Sequence, residues 1–69
     1  MNLALKTAIL RSGIKQKAIA ARAGISPWRL SRIINDGQVA THEECTALAR
    51  ELDVCVQVLF PEADRPAVA

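Results

Sequence analysis

The sequence has few of the residues from which catalytic and metal sites are built. Its 69 residues include no tyrosine, one histidine and two cysteines, and no glycine-rich loop that could cradle a phosphate. No nucleophile is placed to meet a general base, so we expect no enzymatic activity. His42, Cys45 and Cys55 could share a metal ion, but a closed zinc site takes four ligands. We therefore predict no metal and no cofactor, and we interpret both cysteines as reduced thiols packed in the core.

Aromatic residues and long apolar runs are also scarce. Trp28 and Phe60 are the only aromatics, so the core must be built from Leu, Ile, Val and Ala. A chain of this length allows one domain of marginal stability. Its apolar runs are too short to span a membrane, and no charged-then-apolar leader opens it, so a cytoplasmic location is expected.

Acidic residues are absent from the first half of the chain. Residues 1–35 hold seven cations and no acidic residue, whereas residues 36–69 hold two cations and seven acidic residues. The halves therefore carry +7 and −5 within a net charge of +2. This asymmetry favours one surface built for a polyanion over an ordinary solvated basic face. The seven cations are Lys6, Arg11, Lys15, Lys17, Arg22, Arg29 and Arg32.

Apolar periodicity and glycine stop signals predict short helices in the first half. The first is expected over residues 3–12 and the second over residues 16–23. Gly13 and Gly24 end them, because glycine adopts the left-handed conformation of a helix cap at little cost. A third helix is expected over residues 27–35, because Ser26 can cap it, Pro27 suits its first position, and Asp36-Gly37 ends it.

Two further helices are expected in the second half. Thr41 and Glu44 fit a capping box that opens the fourth helix. The segment VCVQVLF alternates like a strand, but no partner strand is available, so we predict a short fifth helix that begins near Cys55 and is stopped by Pro61. Together the elements predict an all-α, compact five-helix bundle over residues 1–61, with a short flexible tail over residues 62–69. The apolar stripe of the fourth helix comprises Cys45, Leu48, Ala49 and Leu52.

The third helix divides into a buried side and an unusual outward side. At about 100° per residue, Leu30, Ile33 and Ile34 share one side, and Trp28 and Arg32 point to the opposite one. An exposed indole beside a guanidinium group is typical of base recognition, since Arg can bind guanine and an apolar ring can pack on thymine methyl groups. The alternative is that the indole folds back over the second helix. Asn35 shares the outward side, while Arg29 and Ser31 lie on its flanks.

The start of the second helix carries a second cluster of cations. Lys15 and Lys17 lie where the helix dipole already favours negative charge, which makes lysine locally unfavourable. A phosphate docked there would use both ammonium groups, the Gln16 amide and free backbone N–H groups. The alternative is that these are ordinary surface lysines.

These residues together resemble a known family. GIKQKAIAARAGISPWRLSRIINDG, continued by LARELDVCVQVLFPE, is similar to the lambda-repressor-like (XRE-type) helix-turn-helix domains over residues 3–61. The resemblance implies that the second and third helices form the motif and that the third lies in the DNA major groove. It implies base reading by Ser26, Pro27, Trp28, Arg29, Ser31 and Arg32. It implies phosphate binding by Gln16 and Asn35, in addition to Lys15 and Lys17.

Three residues depart from the family pattern. Lys15 stands where relatives carry a Thr, Ser or Asn cap, which weakens the start of the second helix by about 1 kcal/mol. Pro27 stands where many relatives carry a polar base reader. Asp36 adds an acidic group near the proposed phosphate surface.

The function expected from this pattern is a sequence-specific, double-stranded DNA-binding transcriptional regulator that represses by occupying a promoter. A domain of this size makes few contacts, so a homodimer on a two-fold or repeated site is expected. The alternative is a protein-interaction module, either an antitoxin or an activator or adapter that contacts RNA polymerase or another regulator through Glu43, Glu44 or Glu51. Candidate residues for the dimer interface are Val39, Val56, Val58 and Phe60.

Overall fold

A computed structural model describes residues 1–61, and these residues form an all-helical bundle. The prediction of five helices is confirmed, and the VCVQVLF segment is helical in its centre rather than a strand. The proposed tail, residues 62–69, lies outside the described residues. Within residues 1–61 no helix is long and apolar enough to span a membrane. The helices are α1 (Leu3–Ser12), α2 (Gln16–Ala23), α3 (Pro27–Ile34), α4 (His42–Leu52) and α5 (Val56–Leu59).

Side-chain caps begin three of these helices. The Oδ1 atom of Asn2 accepts from the backbone N–H of Leu5 at the start of α1, and the hydroxyl of Ser26 caps α3. At α4 the predicted capping box is confirmed, because Thr41 and Glu44 each accept a hydrogen bond from the other's backbone N–H. These short helices begin where a polar side chain satisfies N–H groups that the helix itself leaves unpaired.

Residues in the left-handed backbone conformation end most of the helices. Gly13 and Gly24 close α1 and α2 with φ values of 72° and 74°, as predicted. Asp36, at φ 63°, turns the chain after α3, which ends one residue earlier than expected because Asn35 has already left helical geometry. Asp53, at φ 57°, closes α4.

The core is aliphatic, and every helix contributes to it. Each helix contributes one large side chain that is completely buried: Leu5, Ile19, Leu30, Leu48 and Leu59. Helix α3 packs against α1 and α2, while α4 packs against α1, α2 and α5. The prediction that both cysteines lie in the core is half wrong. Cys45 is buried, but Cys55 is exposed at the start of α5.

Asn2 joins three parts of the bundle, which sequence inspection missed. Besides capping α1, its Nδ2 atom donates to the carbonyl of Leu59 at 2.8 Å. Its backbone N–H donates to the carbonyl of Ile34, the last residue of α3, at 2.6 Å. The end of α3 is therefore tied to the start of α1, which holds the opposite side of α3 toward solvent.

Candidate nucleic-acid interface

The outward side of α3 is open to solvent. Leu30, Ile33 and Ile34 are buried beneath the helix, whereas the Trp28 residue is 65% exposed. The predicted orientation of the indole is confirmed. Its partner is on its own helix, because the Cζ atom of Arg32 lies 5.4 Å from the ring centroid, within the range of a cation–π interaction. This geometry contradicts the alternative in which the ring folds over α2.

The remaining predicted residues of α3 are less freely presented. Ser26 and Pro27 are exposed, but the Ser26 hydroxyl already accepts the N–H of Arg29. Ser31 is half-buried, and its carbonyl accepts a hydrogen bond from Nδ2 of the exposed Asn35 at 2.9 Å. The outward side therefore presents one indole, one guanidinium group and one amide.

The start of α2 has no side-chain cap, and the Lys15 carbonyl accepts only from the N–H groups of Ala18 and Ile19. Lys15 is the residue before the helix and makes no side-chain cap. Lys15, Gln16 and Lys17 are all exposed. An uncapped helix start flanked by two ammonium groups favours an anion, because the helix dipole and the side-chain charges act in the same direction.

Arg29 differs from its prediction. Its Nε and Nη2 atoms donate to the two carboxylate oxygens of Glu44 at 2.5 and 2.8 Å. Nη2 also reaches the carbonyl of Val39 at 3.2 Å, and Nη1 reaches Oε1 of Gln38 at 3.4 Å. Arg29 is not freely presented as expected, because the capping box of α4 holds a carboxylate against α3 and the guanidinium group donates two hydrogen bonds to it. Its contact with bases stays a prediction. Arg29 fastens α3 to the loop that follows it.

The ion pair between Arg29 and Glu44 also shifts the pKa of both side chains. The hydrogen bond from Arg29 is the largest cause that lowers the pKa of Glu44 to about 2, against the opposing effect of burial. The same bond raises the pKa of Arg29. The side chains are 30% and 17% exposed, respectively. Glu44 is therefore paired and is not part of a free acidic surface.

A model of the family described as Helix-turn-helix, HTH_3, matches residues 5–57, and this range contains α2, α3 and the turn between them. The chain belongs to this helix-turn-helix family. The lambda-repressor-like, XRE-type resemblance is thereby confirmed, and the protein is a DNA-binding domain of the transcription-regulator type. No curated protein and no solved structure gives a significant match to the chain.

The cations of this helix-turn-helix domain are exposed with one exception. Of the seven in residues 1–35, only Arg29 has a carboxylate within ion-pair distance in the described region, residues 1–61. The other six side chains belong to exposed residues. Asp36, the acidic departure near α3, has its Oδ2 atom 2.5 Å from the amino group of Met1. The basic surface predicted from the sequence thus remains uncompensated apart from Arg29.

The two cysteines of the domain differ in exposure to solvent. Burial raises the pKa of the Cys45 thiol, and the nearby charge of Glu44 raises it further. Cys55 is exposed. Across residues 1–61, His, Cys, Asp and Glu side chains form no group of three that could hold a metal ion.

Proposed function

We propose that this helix-turn-helix domain is a sequence-specific, double-stranded DNA-binding repressor that acts by occupying a promoter in the cytoplasm. One observation carries the proposal. The solvent side of α3 presents Trp28, Arg32 and Asn35, directly opposite the buried side formed by Leu30 and its neighbours. A helix with this division can enter the major groove while its apolar side stays in the bundle.

Within this proposal the contacts divide by chemistry. Arg32 donates to a base edge, and Trp28 provides an apolar surface beside it. Ser26, Pro27 and Ser31 lie on the same helix or at its start and face the adjoining bases or phosphates. Phosphate contacts set the register of the domain on the duplex without reading sequence. The phosphate-binding residues are Lys15, Gln16, Lys17 and Asn35.

Selection from a random duplex library, followed by anisotropy titrations, tests this function. Arg32→Ala should weaken binding to the selected duplex more than to a scrambled one. Lys17→Ala should weaken both alike and lower the slope of log affinity against log salt by about one. Arg50→Ala is the matched control, because it removes an exposed cation of α4 outside the proposed contacts. Equal losses on all duplexes would indicate a nonspecific binder, and no binding at low salt would refute the proposal.

We also propose that the domain binds as a homodimer. Of the predicted interface residues, Val39 and Val58 are 89% and 52% exposed, while Val56 and Phe60 pack partly against the core. Exposed Leu3, which sequence inspection missed, lines one groove with Val39 and Phe60 and a second groove with Val58. These grooves place an apolar surface at the junction of α1 and α5, where a second copy could bury it.

Sedimentation of the complex with the selected duplex tests the dimer. Two copies per duplex are expected, and Val58→Glu should reduce this to one by placing a charge in the interface. Arg50→Glu, which places a negative charge at an exposed residue outside both grooves and outside the proposed DNA contacts, should not. One wild-type copy on an asymmetric selected site would contradict the dimer.

The sign of regulation needs a measurement in the cell. Mapping of bound DNA combined with deletion of the gene should show increased transcripts beside bound promoters. Decreased transcripts would indicate an activator. Transcripts that change with Glu43 or Glu51 substitutions while DNA affinity is intact would favour the protein-interaction alternative.

A further inference from the structure

The guanidinium group of Arg32 has a neighbour on each of two sides. On one side is the Trp28 ring, with the Cζ atom of Arg32 5.4 Å from its centroid. On the other is Gly37, where an added Cβ atom would lie 3.1 Å from Cζ, 3.2 Å from Nε and 3.3 Å from Nη2 of Arg32. These distances are shorter than ordinary carbon contacts, so a Cβ atom at position 37 would require the Arg32 guanidinium group to shift by a few tenths of an ångström.

Gly37 is held beside Arg32 by the turn that ends α3. Its backbone N–H donates to the carbonyl of Arg32 at 2.8 Å, and the preceding Asp36 adopts φ 63°. Gly37 itself does not have a positive φ, unlike Gly13 and Gly24. A Cβ atom at those two positions would meet nothing within 4 Å. A Cβ atom at position 37 would therefore crowd the Arg32 guanidinium group without requiring a left-handed backbone conformation.

The two arginines of α3 differ in whether their N–H groups are already hydrogen-bonded. The N–H groups of Arg29 are taken by Glu44, Val39 and Gln38. Arg32 contacts the Trp28 ring, and no acceptor in residues 1–61 takes its N–H groups. Arg32 therefore combines a restrained position with donors that are still free.

We propose that Trp28 and Gly37 are positioning residues that hold Arg32 ready to bind the O6 and N7 edge of a guanine. This inference rests on the proposed DNA-binding function and assigns a role to a residue outside the helix. A long side chain loses conformational freedom when it binds, and prior restraint reduces that loss. The fork of Arg matches the two acceptors of guanine in the major groove, and bidentate binding requires a fixed orientation.

Gly37→Ala is the most direct test, because the backbone at position 37 accepts alanine and the added Cβ atom would crowd the guanidinium group of Arg32. The selected duplex should contain a guanine whose replacement lowers wild-type affinity. Gly37→Ala should lower affinity for that duplex roughly 2- to 10-fold, the range expected from ordering one long side chain. The loss on a scrambled duplex should be smaller, and the unfolding midpoint should stay unchanged. Gly13→Ala is the matched control, since it should lower the midpoint and leave affinity intact.

A double-mutant cycle shows whether Gly37 acts through Arg32. In the Arg32→Ala background, Gly37→Ala should have no further effect on binding. An equal effect in both backgrounds would overturn the proposal, because Gly37 would then act elsewhere. Equal losses on selected and scrambled duplexes would also overturn it, since they would assign Arg32 to a phosphate.

A measurement without DNA separates this inference from the proposed function. The Nε–H signal of Arg32, assigned with Arg32→Lys, should be shifted upfield by the indole ring in ¹H–¹⁵N spectra. Trp28→Ala should abolish the shift, and Gly37→Ala should reduce it. An unshifted wild-type signal would refute the restraint even where DNA binds. If the signal is shifted but no duplex is selected, the proposed function fails, and the guanine assignment fails with it.

Discussion

Replacing Asn2 by alanine should destabilise the bundle more than its place near the start of the chain suggests. The change removes the oxygen that caps α1, with Leu5 N–H as its donor at 3.0 Å. It also removes the Nδ2 donor to the carbonyl of Leu59, the last residue of α5. The backbone bond from Asn2 to Ile34 does not depend on the side chain and should persist.

The magnitude for Asn2→Ala follows from these two losses. A missing N-cap costs about 1 kcal/mol. A carbonyl left without its donor costs about 1 to 3 kcal/mol when buried, and the Leu59 carbonyl, in a partly buried bond, falls near the lower value. The free energy of unfolding should therefore fall by about 2 kcal/mol, which corresponds to roughly 8 to 16 °C in Tm for so small a domain.

Urea unfolding followed by circular dichroism is the suitable assay, because the exposed Trp28 reports poorly on the core. Asn2→Ser keeps a side-chain oxygen that can cap α1 but loses the donor to Leu59, so it should cost less than Asn2→Ala. An Asn2→Ala change below about 0.5 kcal/mol, the size of an ordinary surface substitution, would refute the reasoning. Equal losses for the two variants would show that the cap contributes nothing.

Three further predictions concern the core, the ion pair and a turn. Leu48→Ala, at a completely buried site, should lower the free energy of unfolding by about 2 to 5 kcal/mol in urea titrations, and a smaller loss would contradict tight packing. The pKa of Glu44 is about 2 when folded and 4.5 ordinarily, so its carboxylate stabilises the fold fully above pH 4.5. That stability should be lost as pH falls from 4.5 toward 2, and Glu44→Gln should flatten this part of the pH profile; an unaltered profile would refute it. Gly24→Ala should cost about 1 to 2 kcal/mol by thermal unfolding, because φ 74° is strained for alanine, and an unchanged Tm would contradict the left-handed turn.

Most of the fold could be predicted because its signals are local. The Ser26-Pro27 start of α3 and the capping box of Thr41 and Glu44 involve residues at most three apart, so their chemistry can be recognised in the sequence. The outward direction of Trp28 follows from helical periodicity alone. The end of α3 was missed by one residue, because Asn35 has already left helical geometry and the left-handed residue is Asp36, not Gly37.

Parts of the candidate interface could not be predicted because their partners are distant or depend on side-chain packing. The helical wheel placed Arg29 on a flank, and nothing local indicated that Glu44, 15 residues away, would take its guanidinium group. Gly37 gave the signal of an ordinary helix stop. Only the tertiary structure shows that a Cβ atom at position 37 would crowd the guanidinium group of Arg32.

The sequence by itself determined where the helices begin and end to within about two residues, which side of each is apolar, and that the cations collect in the first half of the chain. These properties depend on neighbours within a turn or two, or on composition. The tertiary structure decided which cations are available, because Arg29 is taken by α4 while Arg32 is left with free donors. It also decided that Asn2 bonds Leu59, 57 residues away, since packing of the bundle is what brings the two together.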